Sequence, residues 1–150
     1  MSGLYYEQFS VGQMFLHSVS RTVTEMDNML FSCLTLNTQP LHIDAEFASN
    51  TEFGRPLVNS LFTLGLLIGM TVTDTTLGTT IANLGLGETN FPNPVFQGDT
   101  LRARTEVLAV RASKSRPGAG LIEFEHTAVK QSGEVVCRCI RTALMLRQPS

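Results

Sequence analysis

Two kinds of hydrophobic spacing divide this chain. In the first half the apolar positions fall at helical intervals. Met26, Met29, Leu30, Cys33 and Leu34 recur three and four residues apart, which predicts a helix. Thr24, with Asp27 three positions later, gives that helix a capping-box start. It must end near Pro40, because the residue before a proline avoids the helical region. Asp44 reads as the N-cap of a short helix, "AEFASN", and Gly54 closes that passage. The uncharged segment Leu57 to Thr73 follows, with Asn59 or Ser60 as the N-cap of a long apolar helix. In the second half the spacing changes to two. Leu101, Ala103, Thr105, Val107 and Ala109 share one strand face, with Arg102, Arg104 and Glu106 on the other. Ile122, Phe124 and Ala128 oppose Glu123 and Glu125 in the same way. Turns at "PGAG" and "QSGE" separate these runs, and "VVCRCIRTALML" supplies a last strand. Met14 to Val23 alternates enough to be the first.

Helices gathered together and strands in succession predict an α+β fold with a mainly antiparallel sheet. The uncharged helix falls short of the ~20 apolar residues that a membrane span needs, and Asn59, Ser60 and Thr63 interrupt it. It is read as a core helix, and it needs an apolar surface on every side. A curved sheet wrapped around it supplies that surface. The expected architecture is a single hot-dog domain over residues 1–150.

Composition narrows the partners. Charged residues make up 16% of the chain, against roughly 25% in an average globular protein. A monomer with so few charges shows much apolar surface, and a single hot-dog sheet leaves an open edge, so at least a homodimer is expected. The net charge is −2 with no basic block, which argues against nucleic acid. Cys137 and Cys139 would point to the same strand face and Cys33 lies far off in sequence, so reduced thiols in a cytoplasmic protein are expected. No metal-ligand cluster is visible. "MSGLYYEQFSVGQ" lacks the basic start and apolar run of a signal peptide.

The series "VTEMDNMLFSCLTLNTQPLHIDAEFA", "FGRPLVNSLFTLGL", "LGLGETNFPNPVFQGDTLRARTEVLAVRASKSRPGAGLIEF" and "SGEVV" resembles the MaoC-like dehydratase family, the (R)-specific enoyl-CoA hydratases of hot-dog fold. The family pattern D-x-N-P-x-H falls on Asn37, Gln39, Pro40 and His42. Proline and histidine match, while Asn37 stands where the family has aspartate and Gln39 where it has asparagine. The histidine-glycine pair that opens the family's central helix is Asn59 and Ser60 here. "NTQPLH" is similar to the branch near the mesaconyl-CoA and itaconyl-CoA hydratases.

The resemblance implies hydration or dehydration at the C2=C3 bond of a short-chain enoyl-CoA, possible substrates including branched and dicarboxylic ones. Coenzyme A enters only as part of the substrate, and no cofactor is needed. His42 fits the base, since a histidine can take and return a proton at working pH; its alternative role is a buried ring satisfied by a backbone carbonyl. Asn37 cannot ionise but can hold water by hydrogen bonds. Asn59 and Ser60 are candidates for the thioester oxygen, through the free N–H groups of a helix start, and both can also serve as caps. Gln39 joins them as a substrate-binding candidate. Arg55 would meet a substrate carboxylate, and Lys114 with Arg116, beside Arg111, would meet coenzyme A phosphates; both could equally be solvated surface charges. Asp44 and Glu88 are further carboxylates with no motif placing them in the site, and His17 and His126 carry no assigned role. Two other functions suit the same fold: acyl-CoA binding without chemistry, and thioester hydrolysis.

Overall fold

A computed structural model describes residues 3–149. The period-two runs become the strands of one antiparallel sheet: β1 (Met14–Thr22), β2 (Thr80–Asn90), β3 (Thr100–Ala112), β4 (Ala119–Lys130) and β5 (Val135–Leu146). Their spatial order is β1-β3-β4-β5-β2, which leaves β1 and β2 at the edges. β3 pairs with β4 from Leu101 opposite Lys130 to Ala112 opposite Gly120. The alternation read from sequence gives the two faces as far as Val107: Leu101, Ala103, Val107, Ile122, Phe124 and Ala128 are buried, while Arg102 and Arg104 face water. Past an irregularity between Val107 and Ala109 the phase of β3 shifts, so Ala109, expected on the inward face, sits opposite Glu123, and Val110 opposite Ile122 packs against the core instead. β2 is an element the sequence reading lacks. Gly85 and Gly87 dilute its strand signal, which fits an edge position.

The helical half gives α1 (Glu25–Leu34), α2 (Pro40–Ile43), α3 (Ala45–Ser49) and α4 (Ser60–Thr75). Thr24 caps α1, and Asp27 returns a carboxylate to the Thr24 N–H at 2.8 Å, completing the expected capping box. α1 stops earlier than expected: Leu36 takes a left-handed φ of 55° and turns the chain towards Asn37. Its inward face also differs from the apolar spacing. Asn28 and Ser32 are buried, whereas Met26 and Leu34 are 72% and 74% exposed. Asp44 caps α3 by accepting from the Phe47 N–H at 2.9 Å, as its position suggested.

α4 lies against the concave side of the sheet and buries Thr63, Leu64, Leu67, Met70 and Thr71. Fully burying a side chain such as Leu67 is worth about 1.5–3 kcal/mol. The helix is not enclosed on every side, a correction to the expectation. Leu61, Gly65, Gly69 and Thr73, four residues apart, form an open stripe on the side the sheet does not reach. Among the described residues, no helix is long and apolar enough to cross a membrane.

Candidate functional site

The motif residues meet where α1, α2 and the start of α4 converge, and a buried amide joins them. Asn28 Nδ2 donates to the backbone carbonyls of His42 and Leu57, both at 3.0 Å. Its Oδ1 accepts from the Asn59 N–H at 2.9 Å. One side chain thereby ties the histidine's turn, the segment leading into α4, and the N-cap of α4. Ser32, one helical turn further along α1, accepts from Asn59 Nδ2 at 3.3 Å through its hydroxyl and from the Asn37 N–H at 2.8 Å through its carbonyl. The sequence reading passed over both residues. The available signal was a pair of uncharged polar positions four apart in the helix, which is one helical face.

His42 sits on the single turn α2, opened by Pro40 at a first-turn position where the missing N–H costs nothing. Its Nδ1 lies 2.7 Å from the Leu57 carbonyl oxygen. A carbonyl only accepts, so Nδ1 carries a hydrogen, and in the neutral ring Nε2 keeps its lone pair. The backbone contact expected of a buried ring is present at Nδ1, and Nε2 makes no hydrogen bond among the described residues. Asn37 is half-buried and accepts from the Gln39 N–H at 3.1 Å through Oδ1, closing its own loop. Gln39 is exposed, and its backbone opens α2.

At the start of α4 the donors divide. Asn59 is 3% exposed and its N–H is already taken by Asn28. Its Oδ1 caps the Leu61 N–H at 3.0 Å. Of the two residues expected to hold the thioester oxygen, Asn59 is spent on capping. Ser60 is exposed, its N–H makes no intrachain hydrogen bond among the described residues, and it borders a cleft. That cleft has a volume of about 210 Å³ and is lined by Phe53, Leu57, Thr63, Phe91 and Val95 among others, with no charged side chain. His42 borders a separate hollow of about 30 Å³ with Glu25, Asn28, Met29 and Gln97. Leu57 links the two, lining the cleft while its carbonyl holds His42.

The remaining predicted residues line neither hollow. The Arg55 guanidinium stacks on the Phe96 ring at 4.0 Å, and Phe96 in turn meets Phe53 at the cleft with centroids 6.3 Å apart. Lys114 and Arg116 line a groove of about 340 Å³ with Arg111, Ala82, Leu84 and Leu121. The groove is at the wrong end of the sheet for His42 in the same chain. Phe96, just before β3, bridges Leu57, whereas the hairpin lies beyond the end of β3 at Ala112. A strand of that length spans on the order of 35–40 Å. Glu88 shares another hollow with Glu125 and Arg138, away from the site.

Comparison with known proteins places these observations. The family described as MaoC like domain matches residues 7–130. Mesaconyl-CoA hydratase of Cereibacter sphaeroides is 30% identical over 147 residues, covering 98% of this chain and 42% of its own length. Beta-methylmalyl-CoA dehydratase of Chloroflexus aurantiacus is 32% identical over 146 residues, covering 97% of this chain and 41% of its own. The chain thus spans about two fifths of these relatives. A Mycobacterium tuberculosis protein with a double hotdog fold superimposes with a TM-score of 0.88 at 26% identity, over 99% of this chain and 46% of that one. The wrapped sheet and its helix are a hot-dog fold.

Proposed function

This chain belongs to the MaoC-like domain family, and on that premise we propose that it is a hydratase or dehydratase acting at the C2=C3 bond of a short-chain enoyl-CoA thioester. One observation supports the reading: His42 is pinned through Nδ1 to the carbonyl of Leu57, three residues before α4 begins, which in the neutral ring leaves Nε2 free as an oriented base. In the hydration direction Nε2 takes a proton from water as the water oxygen bonds to C3. The same proton is then delivered to C2. Negative charge collecting on the thioester oxygen is met by the Ser60 N–H at the positive end of α4. Asn37 holds the water by hydrogen bonding through its amide nitrogen and takes no proton itself. The acyl group occupies the uncharged cleft, and Arg55 at its rim meets the second carboxylate of a dicarboxylic acyl group, with Gln39 at the mouth.

A homodimer belongs to the same proposal. Ile81, Leu84 and Leu86 are exposed on the β2 edge, where a second copy can pair antiparallel. Such pairing carries one copy's Lys114 and Arg116 towards the other copy's cleft, where the phosphates of coenzyme A would lie. The three unpaired cysteines suit a reducing cytoplasm.

A second reading, acyl-CoA binding without chemistry, is favoured by one feature, the Asn37 amide that cannot ionise and is partly spent on Gln39. Incubation with crotonyl-CoA in ¹⁸O-water, followed by mass spectrometry, separates the readings. Labelled 3-hydroxyacyl-CoA is the expected product. Labelled free acid with free coenzyme A would make the protein a thioesterase. Saturable binding with unaltered thioester would leave only the binding function.

A further inference from the structure

The candidate site uses neither His17 nor His126, yet the fold brings them together. Four neighbouring strands each give one inward residue to a single row: His17 from β1, Thr105 from β3, His126 from β4 and Arg141 from β5. α4 adds Asp74 at the β1 end. Asp74 Oδ2 lies 2.7 Å from His17 Nδ1, and His17 Nε2 lies 2.8 Å from Thr105 Oγ1. Thr105 Oγ1 lies 2.8 Å from His126 Nδ1, and the Arg141 Nε–H donates to His126 Nε2 at 3.0 Å. The row runs between two apolar clusters, one around Leu67, Met70 and Leu101 and the other around Ile122, Phe124 and Met145. His17, Thr105, His126 and Arg141 are buried, and only Asp74 reaches solvent, its side chain 38% exposed.

Arg141 fixes the place of the hydrogen on His126. A guanidinium only donates, so His126 Nε2 must accept, and the neutral ring carries its hydrogen on Nδ1. That hydrogen goes to Thr105 Oγ1. When His17 is neutral the threonine hydroxyl donates to its Nε2, and the His17 Nδ1–H donates to Asp74. Asp74, His17 and Thr105 have the spacing of a hydrolase triad. Thr105 is wholly buried and already receives the His126 hydrogen, so it meets no substrate.

We propose that this row is an acid-sensitive clasp, which fastens the C-terminal half of α4 to the sheet while His126 is neutral and opens with uptake of a proton at that ring. The groups facing the ring are Thr105 from β3, His17 from β1, Arg141 and Cys139 from β5, and Asp74 from α4 beyond His17. Among the described residues, no carboxylate makes a hydrogen bond to it. A proton on Nε2 would set one N–H against another and place a second positive charge beside the guanidinium. Burial first, then the neighbouring Arg141 and His17, depress the His126 pKa to about 3, from about 6.5 in an unstructured chain. Opening returns the ring to water, where it binds a proton below pH ~6.5. The open form therefore carries one more proton than the closed form, and opening grows as pH falls, by about tenfold per unit between pH ~6 and ~3.

Amide hydrogen exchange on the whole chain, corrected for the intrinsic pH dependence of exchange, tests this. Amides 70–76 should open at lower free energy than those of β4, with an opening constant that rises about tenfold per pH unit below 6. In His126→Gln, whose amide can accept and donate but not titrate, that slope should fall below about twofold per unit. Equal slopes in the two proteins, or one shared opening for α4 and β4, would overturn the clasp. Nitrogen-15 spectroscopy of the unmodified protein checks the same claim without a variant. It should show His126 as the neutral Nδ1–H tautomer at pH 5, and an Nε2–H or charged ring there would overturn the proposal.

Discussion

Replacing Asn28 with alanine probes the joint on which the candidate site rests. The side chain makes three hydrogen bonds from a position 4% exposed, to the carbonyls of His42 and Leu57 and from the Asn59 N–H. Each such bond contributes a net ~1 kcal/mol, and a buried group left without a partner costs ~1–3 kcal/mol. The Leu57 carbonyl keeps the His42 ring as a donor. The His42 carbonyl and the Asn59 N–H lose the partner that Asn28 provided. The expected destabilisation is therefore about 3 kcal/mol. For a domain of this size it should lower Tm by about 6–12 °C. Asn28→Asp preserves the acceptor for Asn59 but turns a carboxylate towards two carbonyl oxygens, so it should not rescue. Urea denaturation gives the free energy, and turnover at saturating substrate reports whether His42 is still aimed. A loss below about 1 kcal/mol in Asn28→Ala with full turnover would refute the reasoning, because the joint would then be neither stabilising nor organising.

Three other outcomes follow from the same geometry. Burial, with Cys139 beside it, raises the Cys137 thiol pKa to about 12, so a thiol reagent applied to the folded protein at pH 8 should label exposed Cys33 and spare Cys137, as peptide mass mapping would show. Leu67→Ala opens a cavity at a fully buried position of α4 and should cost about 2–5 kcal/mol in urea denaturation. Asn37→Asp introduces a proton-carrying group five residues before His42 and should raise kcat by about 10²-fold or more if hydration is limited by proton transfer; an unchanged kcat would show that the amide is not what limits the rate.

Local signals were legible where a contact lies within a few residues. Thr24 with Asp27, Asp44 with Phe47, and Asn59 at the start of α4 were readable as caps because each closes within three positions. The faces of β4, and of β3 as far as Val107, followed from alternation for the same reason, whereas the irregularity that puts Val110 rather than Ala109 inward was not readable. Periodicity gave α1 as a helix but misled about its inward side: Met26, Met29, Leu30 and Leu34 face outward, and the packing belongs to Asn28 and Ser32. Apolar spacing identifies a face, not what that face meets. β2 was hidden by its glycines. The row from Asp74 to Arg141 was not legible at all. It depends on register, with Thr105 opposite His126, and cross-strand register is set by the assembled sheet rather than by any window of sequence. His42 and Asn37 were found through resemblance to a family motif, while the tautomer that leaves Nε2 free required the Leu57 carbonyl to be placed.

The most direct test of the account is loss of the enoyl-thioester ultraviolet absorbance with crotonyl-CoA, mesaconyl-CoA and itaconyl-CoA, each presented to the unmodified protein and to His42→Ala. The account predicts turnover of at least one substrate by the former, and a fall of about 10²–10⁴-fold in the latter with folding intact. Turnover that survives His42→Ala would contradict the assignment of Nε2 as the base, and binding of all three without turnover by either protein would contradict the hydratase itself.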